Sequence, residues 1–142
     1  MFSTQFIRAN TEFSGKEKLV NAPYLRRLFH ADGFTQASLT ICGLGFYRLF
    51  INGREITRGL LSPYISNPDD LVYFDTYDVS ELLVAGENCI GIILGNGMQN
   101  AYGGENWNLN VGPFVGAPLV SLSLELDGKV VLARGLSGLR SS

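Results

Sequence analysis

Between residues 34 and 132 the chain is cut into short runs in which apolar and polar positions alternate. Ala37, Leu39 and Ile41 fall on one side of such a run, and Ser38 and Thr40 on the other. Tyr47, Leu49 and Ile51 repeat the pattern, as do Val120, Leu122, Leu124 and Leu126 against Ser121, Ser123 and Glu125. A period of two belongs to a strand, whose side chains point alternately to the two faces of a sheet. No segment holds a helical period through three turns. With 142 residues, 46% of them hydrophobic and 17% charged, the chain can bury a core of its own and is not a solvated, disordered polymer.

Turn chemistry separates the runs. Asn52-Gly53 and Asp127-Gly128 each stand between two strand-like segments, and both predict a two-residue hairpin with positive φ at both turn positions. Residues 24–29 follow Pro23 and read as an edge strand, because Arg26 and Arg27 tolerate solvent. Residues 34–42 and 46–51 are strands, separated by a break at Gly43-Leu44-Gly45. Residues 59–71 form a loop held irregular by Pro63, Asn67, Pro68, Asp69 and Asp70. Residues 72–79 return to strand, with Tyr73, Asp75 and Tyr77 on one face. Residues 80–83 make one helical turn, capped by Asp78 or Ser80 and ended by Gly86. The nearly continuous apolar run 89–94 predicts a central strand buried on both faces. Gly95-Asn96-Gly97 turns the chain into a long loop that reaches residue 116. Roughly eight strands at this spacing predict an all-β, jelly-roll-like β-sandwich rather than a closed barrel. Residues 1–21 form an approach segment with room for one strand, and residues 22–142 form the sandwich.

Several functions are disfavoured by what the residues lack. A net charge of −2 with only short basic runs gives no footprint for nucleic acid. No apolar run is long enough for a membrane helix, and no basic-then-apolar leader opens the sequence, so the expected location is the cytoplasm. Cys42 and Cys89 sit in apolar runs and read as two separate buried thiols; with His30 as the one further soft ligand they do not make a zinc site. The carboxylates at 69, 70, 75, 78, 81, 87 and 105 fit turns and caps better than an acid–base pair flanking one glycosidic bond. His30 lacks a nucleophile elbow. Gly43-Leu44-Gly45 opens like a dinucleotide fingerprint but lacks the third glycine and the helix.

The stretch 95–116 is the candidate binding region. It carries Asn96, Gln99, Asn100, Tyr102, Glu105, Asn106, Trp107, Asn108 and Asn110. Amides and carboxylates can fork hydrogen bonds to sugar hydroxyls, and an aromatic ring can cover a sugar's C–H face. The same groups suit Ca2+. The alternative is a loop that caps one end of the sandwich and buries Trp107.

The ordered series 39–54 (LTICGLGFYRLFINGR), Leu61-Ser62-Pro63-Tyr64, 73–79 (YFDTYDV), 86–91 (GENCIG) and Leu94-Gly95-Asn96-Gly97 resembles the N-terminal β-sandwich domain of bacterial α-L-rhamnosidases of glycoside hydrolase family 78. The resemblance spans about residues 22–97 and implies a galactose-binding-like jelly roll. It implies that the parent protein releases terminal α-L-rhamnose by an inverting mechanism. It also implies that the catalytic acid and base lie in a separate (α/α)6 barrel, so no catalytic residue carries over to this chain. That barrel would be the partner, together with rhamnose-containing glycans. In some relatives such a sandwich binds rhamnose through Ca2+, and the corresponding positions here are Asn52 and Asn96. Met98 stands where the family often has an aromatic residue after the Gly-Asn-Gly turn. Residues 133–142 also depart from the family's continuation, so the sandwich reads as cut short of its last strands. The expected roles are, in order, an accessory domain of a rhamnosidase, a rhamnose-binding module, and an oligomerising structural sandwich.

Overall fold

The computed structural model describes residues 5–15, 17–67, 70–100 and 115–133. Among the described residues eight strands form, in chain order: β1 (Tyr24–Ala31), β2 (Ala37–Leu44), β3 (Phe46–Ile51), β4 (Arg54–Glu55), β5 (Asp75–Asp78), β6 (Gly86–Gly95), β7 (Leu119–Leu126) and β8 (Lys129–Ala133). They assemble into two four-stranded sheets, ordered β1-β6-β3-β4 and β5-β2-β7-β8. Every strand pair is antiparallel. The fold is the expected β-sandwich.

The alternating residues meet between the sheets. Leu39 and Ile41 of β2 and Val120, Leu122 and Leu124 of β7 come from one side; Leu49 and Ile51 of β3 and Ile90, Ile92 and Leu94 of β6 come from the other. Burying a Leu or Ile side chain stabilises a fold by about 1.5–3 kcal/mol, so this layer is the dominant favourable contribution.

Both predicted hairpins form. Asn52 and Gly53 have φ of 50° and 82°, and Asp127 and Gly128 have 47° and 76°, as a two-residue turn matched to strand twist requires. Asp127 does more than turn. Its carboxylate accepts the backbone N–H of Thr35 at 3.1 Å and of Gln36 at 2.8 Å, tying the β7–β8 turn to the entry of β2.

Three expectations need correction. The strand β2 runs through Gly43 to Leu44, and only Gly45, at φ 105°, breaks it. The strand expected over 72–79 narrows to Asp75–Asp78. The run 89–94 is central, between β1 and β3, but it is buried on one face only. A two-layer sandwich has one interior, so Cys89, Gly91 and Ile93 point outward despite being apolar. The approach segment contributes Ile7, which exchanges backbone hydrogen bonds of 2.9 Å with Val120 of β7.

Candidate functional site

The richest collection of unusual features lies at the end of the sandwich where β2 turns into β3 and β6 runs out. Two glycine-bearing turns stand back to back there. A Cβ on Gly45 would lie 2.5 Å from the Gly95 carbonyl oxygen and 3.1 Å from Pro118 Cβ. A Cβ on Gly97 would lie 3.1 Å from Gly45 Cα. Only bare backbone fits, and this explains Gly43-Leu44-Gly45 without any nucleotide.

Beyond Gly95 the chain makes a single 3-10 turn over Gly97–Asn100. Gln99 and Asn100 are buried. The Gly116 N–H donates to the Gln99 carbonyl at 3.1 Å, so the chain leaves and re-enters this corner at adjacent points. A shallow cleft opens beside it, lined by Gly43, Gly45, Phe46, Pro63, Tyr64 and Gln99. Tyr64 rises from its rim, exposed, with Tyr73 edge-on to it at 6.4 Å between ring centroids. A second cleft on the other side of Asn96 is bounded by Asn10, Glu12 and Pro118.

Beneath the first cleft, the sheets are joined by a polar contact. The Tyr47 hydroxyl, from β3, donates to the Asp75 carboxylate of β5 and lies 3.1 Å from the Tyr77 hydroxyl. Burial first, and then these bonds, push the Tyr47 hydroxyl far above the ordinary phenol range. The Arg58 guanidinium sits over the Tyr77 ring at 5.1 Å. Burial, followed by the nearby Asp75 charge, raises the Cys42 thiol to about 11, which leaves it inert at neutral pH. Both cysteines are free thiols, Cys42 buried and Cys89 half-buried.

Of the candidate binding residues, Asn52, Asn96 and Asn100 lie among the described residues, and Asn52 stands apart from the other two. Asn52 is consumed by the fold. Its side-chain amide donates to the Leu82 carbonyl at 3.0 Å and to Asn88 Oδ1 at 2.9 Å, and its own oxygen accepts the Cys89 N–H at 2.8 Å. Asn52 lies beside Cys89, whereas Asn96 follows Gly95 at the other end of β6. At about 3.3 Å per residue the two are on the order of 20 Å apart, and calcium ligands sit about 2.3–2.6 Å from the ion. Asn52 and Asn96 thus lie too far apart for one calcium ion to reach both. Asn96 is half-buried and its amide meets Ser14 Oγ at 3.5 Å. Asn100 is buried within the 3-10 turn. Tyr102, Glu105 and Trp107 lie outside the described residues.

Sequence reasoning missed Asn88, which is 1% exposed. Its amide donates to the carbonyls of Val84 and Gly86, and its oxygen accepts from Val84 N–H and Asn52. An asparagine at an inward position of an apolar strand was the available signal, since a buried amide must be fully bonded. The Tyr64–Tyr73 pair was also missed, because the two residues lie in irregular chain nine positions apart, with no strand or helix period to relate them.

The sequence pattern of the α-L-rhamnosidase N-terminal domain matches residues 33–131. The chain belongs to this family. An α-L-rhamnosidase of Formosa agariphila is 49% identical over 61 residues, which is 43% of this chain and 6% of that protein. The native α-L-rhamnosidase of Aspergillus terreus superposes with a TM-score of 0.78 at 24% identity, covering 99% of this chain and 16% of the enzyme. The Streptomyces avermitilis α-L-rhamnosidase complexed with L-rhamnose gives 0.69 at 26% identity, covering 85% of this chain and 12% of that one. The chain thus spans a small fraction of the length of its relatives and matches only their N-terminal domain. Three carboxylates of this α-L-rhamnosidase N-terminal domain are engaged in holding the fold. Glu55 is paired bidentately with Arg48 at 2.8 and 2.5 Å. Asp78 caps the turn at Ser80, and Asp127 clamps the entry of β2.

Proposed function

We propose that this sandwich serves an α-L-rhamnosidase as an accessory domain, packing against an (α/α)6 catalytic barrel that performs the release of terminal α-L-rhamnose. The match over residues 33–131, on a chain that spans so little of its relatives, carries this reading. The chemistry agrees: Asp75, Asp78, Asp127 and Glu55 are each held by structural hydrogen bonds rather than poised across a shared cleft. The test is hydrolysis of an aryl α-L-rhamnoside by rigorously purified chain. No release above buffer is expected; turnover that co-purifies with the chain would overturn the assignment.

A second reading, direct rhamnose binding, is favoured by the exposed Tyr64–Tyr73 pair beside the Gln99 cleft and by the Streptomyces relative complexed with L-rhamnose. Aromatic rings at a cleft rim suit the C–H face of a sugar. Calorimetric titration with rhamnose, with and without chelator, decides it. Heat that vanishes in Tyr64→Ala supports the reading, and no heat at millimolar sugar removes it.

A further inference from the structure

Four dipeptides of this chain carry the arrangement that closes most readily to a succinimide, an Asn or Asp before a Gly: Asp32-Gly33, Asn52-Gly53, Asn96-Gly97 and Asp127-Gly128. Glycine has no Cβ to shield its nitrogen, so that nitrogen can attack the preceding side chain. The attack needs a side chain able to swing onto it. Three of the four are held. Asp32 accepts the Gly86 N–H at 3.0 Å on one carboxylate oxygen and contacts His30 Nε2 with the other. Asn52 is fixed at both ends of its amide by Leu82, Asn88 and Cys89. Asp127 accepts the N–H groups of Thr35 and Gln36. Asn96 differs. Among the described residues its side chain makes one hydrogen bond, to Ser14 Oγ at 3.5 Å, the long limit for such a bond. That hydroxyl is already engaged with the N–H and the carbonyl of Val20. Asn96 is half-buried and lines the cleft bounded by Asn10, Glu12 and Pro118, which opens it to water.

We propose that Asn96 is a site of spontaneous deamidation, the residue at which the folded domain ages first. The Gly97 nitrogen attacks Asn96 Cγ. The N–Cγ bond forms, the Cγ–Nδ2 bond breaks, and Nδ2 leaves as ammonia with the proton that Gly97 gives up. Water then opens the succinimide. Opening at Cγ leaves aspartate; opening at the main-chain carbonyl leaves isoaspartate, whose backbone runs through the side-chain carbons. Either product places a new carboxylate in the cleft that already holds Glu12. Isoaspartate also inserts a methylene into the main chain directly before Gly97. A Cβ on Gly97 would lie 3.1 Å from Gly45 Cα and from Phe46 N, so backbone is already packed on backbone there. The corner therefore loosens in the isoaspartyl product and keeps its shape in the aspartyl one.

Incubation of the full chain in mildly alkaline buffer, followed by peptide mapping with mass spectrometry, tests the proposal. Each hydrogen bond that must break before attack is worth up to about tenfold in rate, so Asn96 should convert at least about tenfold faster than Asn52. In concentrated urea the two Asn-Gly sites should convert at similar rates, because only the fold distinguishes them. Asn96→Gln, whose longer side chain closes a ring less readily, should abolish the early acidic species on ion exchange with circular dichroism unchanged. The isoaspartyl fraction, once separated, should melt below both the fresh chain and Asn96→Asp. Equal conversion of Asn96 and Asn52 in the folded chain overturns the proposal, as does a disparity that persists in urea. So does an intact Asn96 in the folded chain after the time in which the urea-unfolded chain has converted. An isoaspartyl fraction that melts with the fresh chain overturns the loosened corner. None of these results bears on the accessory-domain reading, which stands or falls on hydrolysis.

Discussion

Asn52 shows how one side chain can resemble a ligand-binding group while serving the fold. It holds a left-handed turn position, bonds across to Asn88 and Leu82, and receives the Cys89 N–H. Asn52→Ala loses those bonds and places a Cβ-bearing residue without a stabilising side chain at φ 50°. The expected cost is about 2–4 kcal/mol, read from urea unfolding midpoints. Sugar-dependent heat, where present, should be unaffected in the folded fraction, because the Gln99 cleft lies at the opposite end of the strands. The family resemblance pointed to Asn52 as a candidate ligand group. Its role was not legible, because bonds to Leu82 and Asn88, 30 and 36 positions away, exist only after the sheets form.

Among the elements, the turns make the sharpest predictions. Gly45→Ala should destabilise by at least about 3 kcal/mol, since the new methyl meets the Gly95 carbonyl and the backbone is held at φ 105°; soluble expression and thermal midpoint report it. The turn after β5 supplies a pH dependence. The Ser80 hydroxyl, and then its backbone N–H, bond to the Asp78 carboxylate and hold its pKa below the ordinary 3.8. A folded value below the unfolded one means stability that is present above the unfolded value and is lost as pH falls through the folded one. Asp78→Asn should therefore flatten the acid limb of the unfolding midpoint below about pH 4. Hairpins were the most legible elements, because Asn-Gly and Asp-Gly encode their geometry in two residues. The run 89–94 was misjudged for a physical reason: apolar residues on both sides of a strand announce that both sides want cover, not that one domain supplies it. The start of β5 was blurred because Tyr73 and Phe74 continue its apolar pattern while remaining exposed.

At the scale of the molecule, two four-stranded sheets share an apolar layer and, among the described residues, a polar contact between their strands, Tyr47 with Asp75 and Tyr77. Tyr47→Phe leaves Asp75 without that donor and should lower stability by about 1–3 kcal/mol while unfolding stays a single cooperative transition, followed by tyrosine fluorescence and far-ultraviolet dichroism together. The sandwich class was legible throughout because period-two burial is a property of each strand alone. The pairing order β1-β6-β3-β4 was not, because it depends on contacts between residues some sixty positions apart.

The Gln99 carbonyl and the Gly116 N–H hold the two feet of a long excursion side by side. With those two points fixed side by side, a change in the number of residues between them should add little to the closure cost, about 0.6 kcal/mol per doubling of length. The corner is thus a natural cassette, where this scaffold can acquire new recognition without relearning how to fold.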